Sequence, residues 1–367
     1  MKISVGVDLH KTQFTVCFLR KGHKREDIRI YPTTDVGYET FCEVLRKFKN
    51  KGYEVRVAVE STGNTRYFCN RVLQEGISVK VINTMKFKVV RESVKKTDKR
   101  DAITIAKFLE KDMLPESVLC SQKSEEIRRI IKSRSILVKA LVSLKNQVHG
   151  LLLGYGIETK RGQLHSKKER QRILRGLEDH KNYGHAAMAI KPLFESIDQL
   201  SLEVKRLEKV LEELVAEDED VKLLRTIPGV GLITAATIRA YTDDIKRYRN
   251  YKKYAAYAGL VPWVQNSNET IRHGHITKRG PSELRTAFVQ MVMGMIRYSK
   301  QTSNYRIIVR YQNMKKQKGS GKSIIATARK LTTIVYAMLK SRQPFNPKKM
   351  LTMKEDNSAN SQLALAG

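Results

Sequence analysis

Four acidic side chains in the first third of this chain are placed where they could hold metal ions: Asp8, Glu60, Asp98 and Asp101. Asp8 ends the apolar run of Val5-Gly6-Val7-Asp8-Leu9-His10-Lys11, and Glu60 ends that of Val57-Ala58-Val59-Glu60-Ser61-Thr62-Gly63. The other two lie three residues apart in Lys95-Lys96-Thr97-Asp98-Lys99-Arg100-Asp101-Ala102, just ahead of the apolar-periodic Ile103, Ile105, Ala106, Phe108 and Leu109. On a helix that spacing puts both acids on one face. Each feature alone has a plainer reading. Thr97 or Asp98 suits an N-cap, acids in a first turn meet the helix dipole favourably, and a strand-end acid is ordinary in a turn. Taken jointly, four converging carboxylates repel one another unless a cation sits among them, and oxygen-only donors are what Mg²⁺ or Mn²⁺ prefers. Two such ions can activate one oxygen and stabilise the leaving one in phosphodiester cleavage.

Further along, Leu224-Arg225-Thr226-Ile227-Pro228-Gly229-Val230-Gly231-Leu232 reads as two helical runs joined by a tight turn, like a helix-hairpin-helix element whose backbone amides face a phosphate. A turn needing positive φ at glycine gives the same letters. A polar loop, Gln265-Asn266-Ser267-Asn268-Glu269, precedes the donor-rich Gly274-His275-Ile276-Thr277-Lys278-Arg279-Gly280. Such a loop could present a serine nucleophile beside phosphate-neutralising cations, although by its letters Ser267 is a loop serine. Gly319-Ser320-Gly321-Lys322-Ser323 resembles a phosphate loop only superficially: Lys316 holds the required first glycine position and no buried strand precedes it. Candidate nucleic-acid contacts are therefore Lys95, Lys96, Lys99, Arg100, Gly229, Gly231, Arg272, Lys278 and Arg279.

The elements that must position these residues begin with three alternating runs (Ile3, Val5, Val7; Phe14, Val16, Phe18; Ile28, Ile30), expected as strands joined by hairpins. Helical spacing follows from Asp35 (Phe41, Leu45, Phe48), then a fourth strand (Val55, Val57, Val59), a helix from about Thr65 to Gln74, and a fifth strand (Val79, Val81). This is the order of a ribonuclease-H-like α/β domain, in which the first and fourth strands lie side by side and bring Asp8 and Glu60 to one sheet edge. A helix from Ser124 to about Leu153 carries Leu137, Leu141, Leu144, Val148 and Leu151. A second carries Leu193, Ile197, Leu200, Val204, Leu207, Leu211 and Leu214. These seams predict a coiled coil, within the chain as an antiparallel hairpin or between chains. The basic stretch Lys160 to Arg175 between them suits either a nucleic-acid backbone or a solvated face. A tyrosine- and lysine-rich helix (Tyr248 to Tyr257) and a basic terminal helix (Ile324, Ala328, Leu331, Val335, Met338) follow, and a polar tail is expected from Lys354.

The chain has 367 residues, a formal net charge of +33, and 41% hydrophobic residues. The cations are spread throughout, which points to DNA or RNA rather than a membrane surface, as in enzymes of nucleic acid but also in ribosomal or chromatin proteins. Four scattered cysteines (Cys17, Cys42, Cys69, Cys120), with no zinc-ligand spacing, are expected as reduced core residues, suiting a cytosol. No signal segment is read at the N-terminus and no run is expected to approach a membrane span.

Across nearly its whole length the chain resembles transposases of the insertion-sequence-110 family. The segments around Asp8, Glu60 and Asp98 to Ala102 look like the Asp-Glu-Asp-Asp RuvC-like nuclease half. Ile227-Pro228-Gly229-Val230-Gly231, Ala258-Gly259-Leu260-Val261-Pro262 and Gly274 to Gly280 look like the C-terminal transposase half. The resemblance implies a RuvC-like domain at 1–120, a coiled-coil helical linker at 121–218, a mainly α transposase domain at 219–347 and a tail at 348–367. It further implies a cytoplasmic DNA recombinase of the prokaryotic cytosol or nucleoid that excises and inserts its element on donor and target DNA. A structured guide RNA from the element's end would pair with both. Asp8, Glu60, Asp98 and Asp101 match its metal-binding acids, and Ser267 falls where the family places a serine proposed to attack the DNA phosphate, one subunit completing another's site in homodimers that assemble to homotetramers. Asn266-Ser267-Asn268-Glu269 departs from the family's Ser-Ser-Gly-Gly-like run, losing both glycines and adding an acid. Two other readings remain: a junction-resolving nuclease using water at the four acids, and a noncatalytic nucleic-acid-binding scaffold.

Overall fold

The computed structural model describes residues 1–20, 26–90, 97–160, 162–179, 185–267 and 270–351. Lys95, Lys96 and the tail expected from Lys354 lie outside them. The chain divides into two compact units, Met1–Cys120 and Ser121 onward.

The first unit runs β1 (Lys2–Leu9), β2 (Gln13–Arg20), β3 (Asp27–Pro32), α1 (Asp35–Asn50), β4 (Glu54–Glu60), α2 (Thr65–Gln74), β5 (Ser78–Ile82), α3 (Thr84–Val90), α4 (Asp98–Glu110) and β6 (Glu116–Ser117). Its sheet has the order β3-β2-β1-β4-β5-β6. The first three strands are antiparallel, and β1, β4 and β5 are parallel. The expected meander and the side-by-side first and fourth strands are both present. Alternation along β1 splits two interiors. Ile3, Val5, Val7 and Leu9 pack with Phe41, Leu45 and Phe68 of α1 and α2. The small and polar positions Ser4, Gly6 and Asp8 lie beneath α4, where Cys17 and Leu19 of β2 meet Ala102 and Ala106.

Gly6 sets how close α4 comes. A Cβ there would lie 2.2 Å from the Ala102 carbonyl oxygen and 2.4 Å from the Ala106 nitrogen, so the helix backbone rests directly on the strand. Thr97 is the N-cap of α4, its hydroxyl accepting from the Arg100 N–H, and Asp98 and Asp101 occupy the first turn.

The second unit contains α5 (Gln122–Gly154), α6 (Lys167–Glu178), α7 (Ala186–Val215), α8 (Glu219–Arg225), α9 (Leu232–Thr242), α10 (Tyr251–Tyr257), β7 (Pro262–Ser267), β8 (Thr270–Ile276), α11 (Ser282–Arg297), α12 (Ser299–Thr302) and α13 (Arg306–Ser341). Helices α5 and α7 pair antiparallel within the chain. Arg134 near the start of α5 meets Glu208 near the end of α7 at 2.7 Å, while Val148 and Leu152 share a cluster with Ile190, Phe194 and Ile197. Leu151, expected in the seam, is 48% exposed and Leu152 takes its place. The drift of a 3.6-residue helix against a seven-residue seam accounts for the slip. By length and composition α5 is apolar enough to cross a membrane, contrary to the expectation. Only 11% of its apolar stretch is buried, through Val148 and Leu152, which pack with α6 and α7, while Ile127 and Ile131 are buried nearer its start.

The Pro-Gly-Val-Gly turn joins α8 to α9 as expected, and its first glycine has a packing reason. Gly229 takes φ +80° and a Cβ on it would meet the Gly294 carbonyl carbon of α11 at 2.4 Å, while one on Gly294 would meet the Gly229 oxygen at 2.2 Å. Gly294→Ala is therefore expected to cost about 3 kcal/mol, the upper end for overpacking against backbone, read as a lower urea midpoint. Gly319-Ser320-Gly321-Lys322-Ser323 lies inside α13 at a kink, Gly319 having φ +77° and its carbonyl accepting from the Ser323 hydroxyl, so no phosphate loop forms there.

Candidate metal centre and nucleic-acid interface

Because Val7 pairs with Val59 in parallel register, Asp8 and Glu60 leave adjacent strands together at one edge of the sheet. The α4 N-terminus sits over that edge. Asp8 is 6% and Asp101 5% exposed, Glu60 is half-buried, and Asp98 is exposed. Thr65 ties the chain beyond Glu60, its hydroxyl donating to the Glu60 carbonyl at 2.8 Å and accepting from the Thr62 N–H at 2.7 Å.

The tightest donor set among the described residues includes one side chain that the sequence argument missed. His10 Nε2 lies 3.2 Å from Asp8 Oδ2 and 3.4 Å from Asp98 Oδ1. One ligand atom from each of Asp8, His10 and Asp98 can be chosen so that all lie within 4.8 Å of one another, a group that could hold a metal ion. Asp101 follows one helical turn from Asp98, with Glu60 on the neighbouring strand end. The signal for His10 was its place two residues beyond Asp8. What the letters could not give was the turn, fixed by the His10 N–H donating to the Gln13 carbonyl and by Asn64 donating to the His10 carbonyl.

Electrostatics at the centre are those of crowded acids. Burial is the largest influence on Asp8 and pushes its carboxyl above the ordinary value; the charge and hydrogen bond of His10 oppose that, and Asp101 and Asp98 add to it. Across the strand pair from Asp8 stands Thr15, whose buried hydroxyl has no partner among the described residues. Among the described residues Glu60 and Asp101 are not part of that close group, which joins two carboxylates to one imidazole. The two carboxylates, the repulsion that Asp101 and Asp98 add at Asp8, and this orphaned hydroxyl suit a divalent cation carrying bound water.

The candidate nucleic-acid residues divide. Lys99 and Arg100 are exposed on the first turn of α4. Gly229 is committed to α11, whereas Gly231 is exposed as the N-cap of α9. Lys278 and Arg279 are exposed on a rigidly held loop. The Thr277 N–H donates to Val261 O at 2.9 Å, the Lys278 N–H to Gly259 O at 3.3 Å, and Arg285 to the Lys278 carbonyl at 3.3 Å. Within the basic stretch before α7, Arg170 is structural. It is 4% exposed, pairs with Asp198, and donates to the Leu164 carbonyl at 2.6 Å.

The segment expected as a serine loop is a β-hairpin. Gln265, Asn266 and Ser267 belong to β7, paired with Arg272, Ile271 and Thr270 of β8. Their polar side chains hide the strand because no apolar alternation marks it. Ser267 and Arg272 are placed by their backbones, and Asn268 and Glu269 lie outside the described residues.

Comparison with known proteins matches both parts of the chain to transposases. A family described as Transposase matches residues 5–157, and the Transposase IS116/IS110/IS902 family matches 221–306. The chain is 24% identical to the transposase for insertion sequence element IS1111A of Coxiella burnetii, over 93% of this chain and 90% of that protein. It is 29% identical to the IS1328 transposase of Yersinia enterocolitica, over 64% of this chain and 69% of that one. It is also 25% identical to the pilin gene-inverting protein of Moraxella bovis, over 94% and 98%. With both halves matched in order and the relatives spanning them, the chain belongs to the IS110 family of transposases, enzymes that act on DNA.

Proposed function

We propose that this transposase excises and inserts its own insertion sequence by cleaving and exchanging DNA strands, guided by a structured RNA from the element's end that pairs with donor and target DNA. The observation that carries the chemistry is the meeting of Asp8, His10 and Asp98 at the edge where β1 and β4 end. Asp8, Glu60, Asp98 and Asp101 would hold Mg²⁺ or Mn²⁺. When bound, the cations supply neutralisation of phosphate charge and activation of the attacking oxygen. Lys99, Arg100, Lys278 and Arg279 bind the phosphate backbone, with Lys95, Lys96 and Arg272 in the same role. Gly229 shapes its turn and Gly231 leaves the start of α9 open. The RuvC-like character of the first unit, a coiled coil joining copies through α5 and α7, and a dimer assembling to a tetramer, with no membrane involved and a cytoplasmic site of action, belong to the same reading. They rest on the resemblance and on the charge of +33.

Ser267 is the nucleophile. Its hydroxyl gives up a proton and the oxygen attacks phosphorus; one bridging P–O bond breaks, the departing deoxyribose oxygen takes up a proton, and the DNA stays linked to the serine. Attack on that linkage by the free hydroxyl of a second strand releases the serine and joins the two strands. A denaturing gel of protein incubated with end-labelled donor DNA, RNA and Mg²⁺ tests this. A labelled covalent adduct is expected, absent with Ser267→Ala; cleavage without an adduct would favour the water-using nuclease.

His10→Ala is expected to lower cleavage by about tenfold at saturating metal, while raising the Mg²⁺ concentration needed for half-maximal rate. It removes a neighbour that orients two acids without removing an acid, an effect of the size seen for groups supporting metal ligands. A metal titration of the cleavage rate checks it.

A further inference from the structure

The hairpin that carries Ser267 also carries Trp263, the sole tryptophan of the chain. Its indole lies against the opposite strand at Gly274, where a Cβ would come within 2.9 Å of Cε3 and 3.7 Å of Cζ3. Any larger residue there would have to displace the ring. The indole is nonetheless 50% exposed, and Val264 beside it 45%. Covering a strand glycine stabilises a hairpin, but that role leaves half of the largest apolar side chain in water.

Two further features point to what covers the exposed half. Pro262, which precedes the tryptophan, pairs with Ile276, so β8 leaves the base of the hairpin directly into Lys278 and Arg279. Both are exposed, and neither forms an ion pair among the described residues. Their loop is pinned in a conformation that lysine adopts only under constraint: Lys278 has φ +51°, and Gly280 has φ +114° where a Cβ would lie 1.8 Å from Tyr257 O. An aromatic face followed by two cations on a constrained backbone, with no ion pair among the described residues, is the arrangement that takes a nucleotide, base on the ring and phosphates on the cations.

We propose that Trp263 is a stacking seat for an unpaired DNA base close to the point of strand exchange. The inference rests on the recombinase reading in its choice of DNA. Four residue steps along the strand take Trp263 to Ser267, about 13 Å at ~3.3 Å per residue, or roughly four base steps of a stacked strand. Exchange requires bases to leave their original partners, and an aromatic seat lowers the cost of holding one unpaired without regard to its identity. Sequence choice then stays with the pairing strands, and Trp263 positions substrate.

The single tryptophan makes the test direct, because its fluorescence reports this residue alone. Full-length protein is titrated with single-stranded DNA, with duplex carrying an unpaired bubble, with paired duplex, and with single-stranded RNA of the same sequence. Binding is followed separately by the anisotropy of a dye on the nucleic acid. Saturation with single-stranded or bubbled DNA is expected to quench the tryptophan by at least about half and to shield it from acrylamide, while paired duplex binds with little quenching. Trp263→Phe should keep the preference for bubbled over paired DNA. Trp263→Leu, which still covers Gly274, should weaken single-strand binding by about 5- to 100-fold, with an unchanged circular dichroism spectrum. DNA bound by anisotropy with tryptophan emission and acrylamide access unchanged would overturn the proposal, as would quenching by RNA alone or a Leu variant that binds like the parent. Because each readout is binding, quenching by a protein that never exchanges strands would uphold the stacking seat and count against the recombinase reading alone.

Discussion

Asp8→Asn is expected to yield a protein that no longer cleaves DNA and yet melts at a higher temperature than the parent in metal-free buffer at neutral pH. Both effects come from burying a carboxylate, first of all, and from setting it beside other acids, with His10 opposing. Asp8 is 6% exposed and faces the charges of Asp98 and Asp101, so its folded-state pKa lies above the ordinary 3.8. A carboxyl with a raised folded pKa binds its proton more tightly in the folded than in the unfolded state, so its ionisation destabilises the fold. That destabilisation is full above the raised pKa and fades as pH falls through it toward 3.8. Asparagine carries none of it. The melting advantage of Asp8→Asn is therefore greatest near pH 7 and shrinks on acidification, measurable by differential scanning fluorimetry with chelator present. Added Mg²⁺ should narrow the gap from the other side by stabilising only the parent. Cleavage should fall on the order of 10³-fold, equivalent to about 4 kcal/mol of lost transition-state stabilisation. A variant melting below the parent at pH 7 would make Asp8 a structural residue.

Gly6→Ala is expected to damage the centre without touching a single acid. The added methyl group would sit 2.2 Å from the Ala102 oxygen and 2.4 Å from the Ala106 nitrogen, and neither can swing away because both are helix backbone. Helix α4 must lift, carrying Asp98 and Asp101 from Asp8. The cost in stability is about 3 kcal/mol, the upper end for overpacking, or roughly 10 °C in the melting temperature. Misplacing two of four acids by about 1 Å should cost about 10²-fold in cleavage at a temperature where the variant is fully folded. Circular dichroism melts paired with single-turnover cleavage separate the two effects. Parent-like activity in Gly6→Ala would mean that the height of α4 over the sheet does not govern the centre.

The parts of this centre legible in the letters were those set by local pattern. Alternation marked β1 and β4, their ends located Asp8 and Glu60, and the Thr97 cap with its two acids marked the start of α4. His10 and Thr15 were illegible because their roles depend on a turn and a cross-strand pairing that bring distant atoms together. Gly6 read as an ordinary small residue in a strand, since only the descent of α4 gives its missing side chain a purpose. The same limit applied at Ser267. Polar residues on both strands of the hairpin leave no period-two signal, and the pairing of Asn266 with Ile271 is a tertiary fact. At Leu151 the sequence offered three consecutive leucines, Leu151 to Leu153, and the face presented to α6 and α7 selected Leu152.

The central claim, that the acids and the serine serve one strand-exchange reaction, is tested most directly by sequencing reaction junctions. Purified protein would be incubated with Mg²⁺, RNA transcribed from the flanks of its gene, and donor and target DNA. Joined donor-target products are expected with the parent protein, and none with Asp8→Asn, Asp98→Asn or Ser267→Ala. Joined products that persist in Ser267→Ala, or broken strands that never join in the parent, would contradict it.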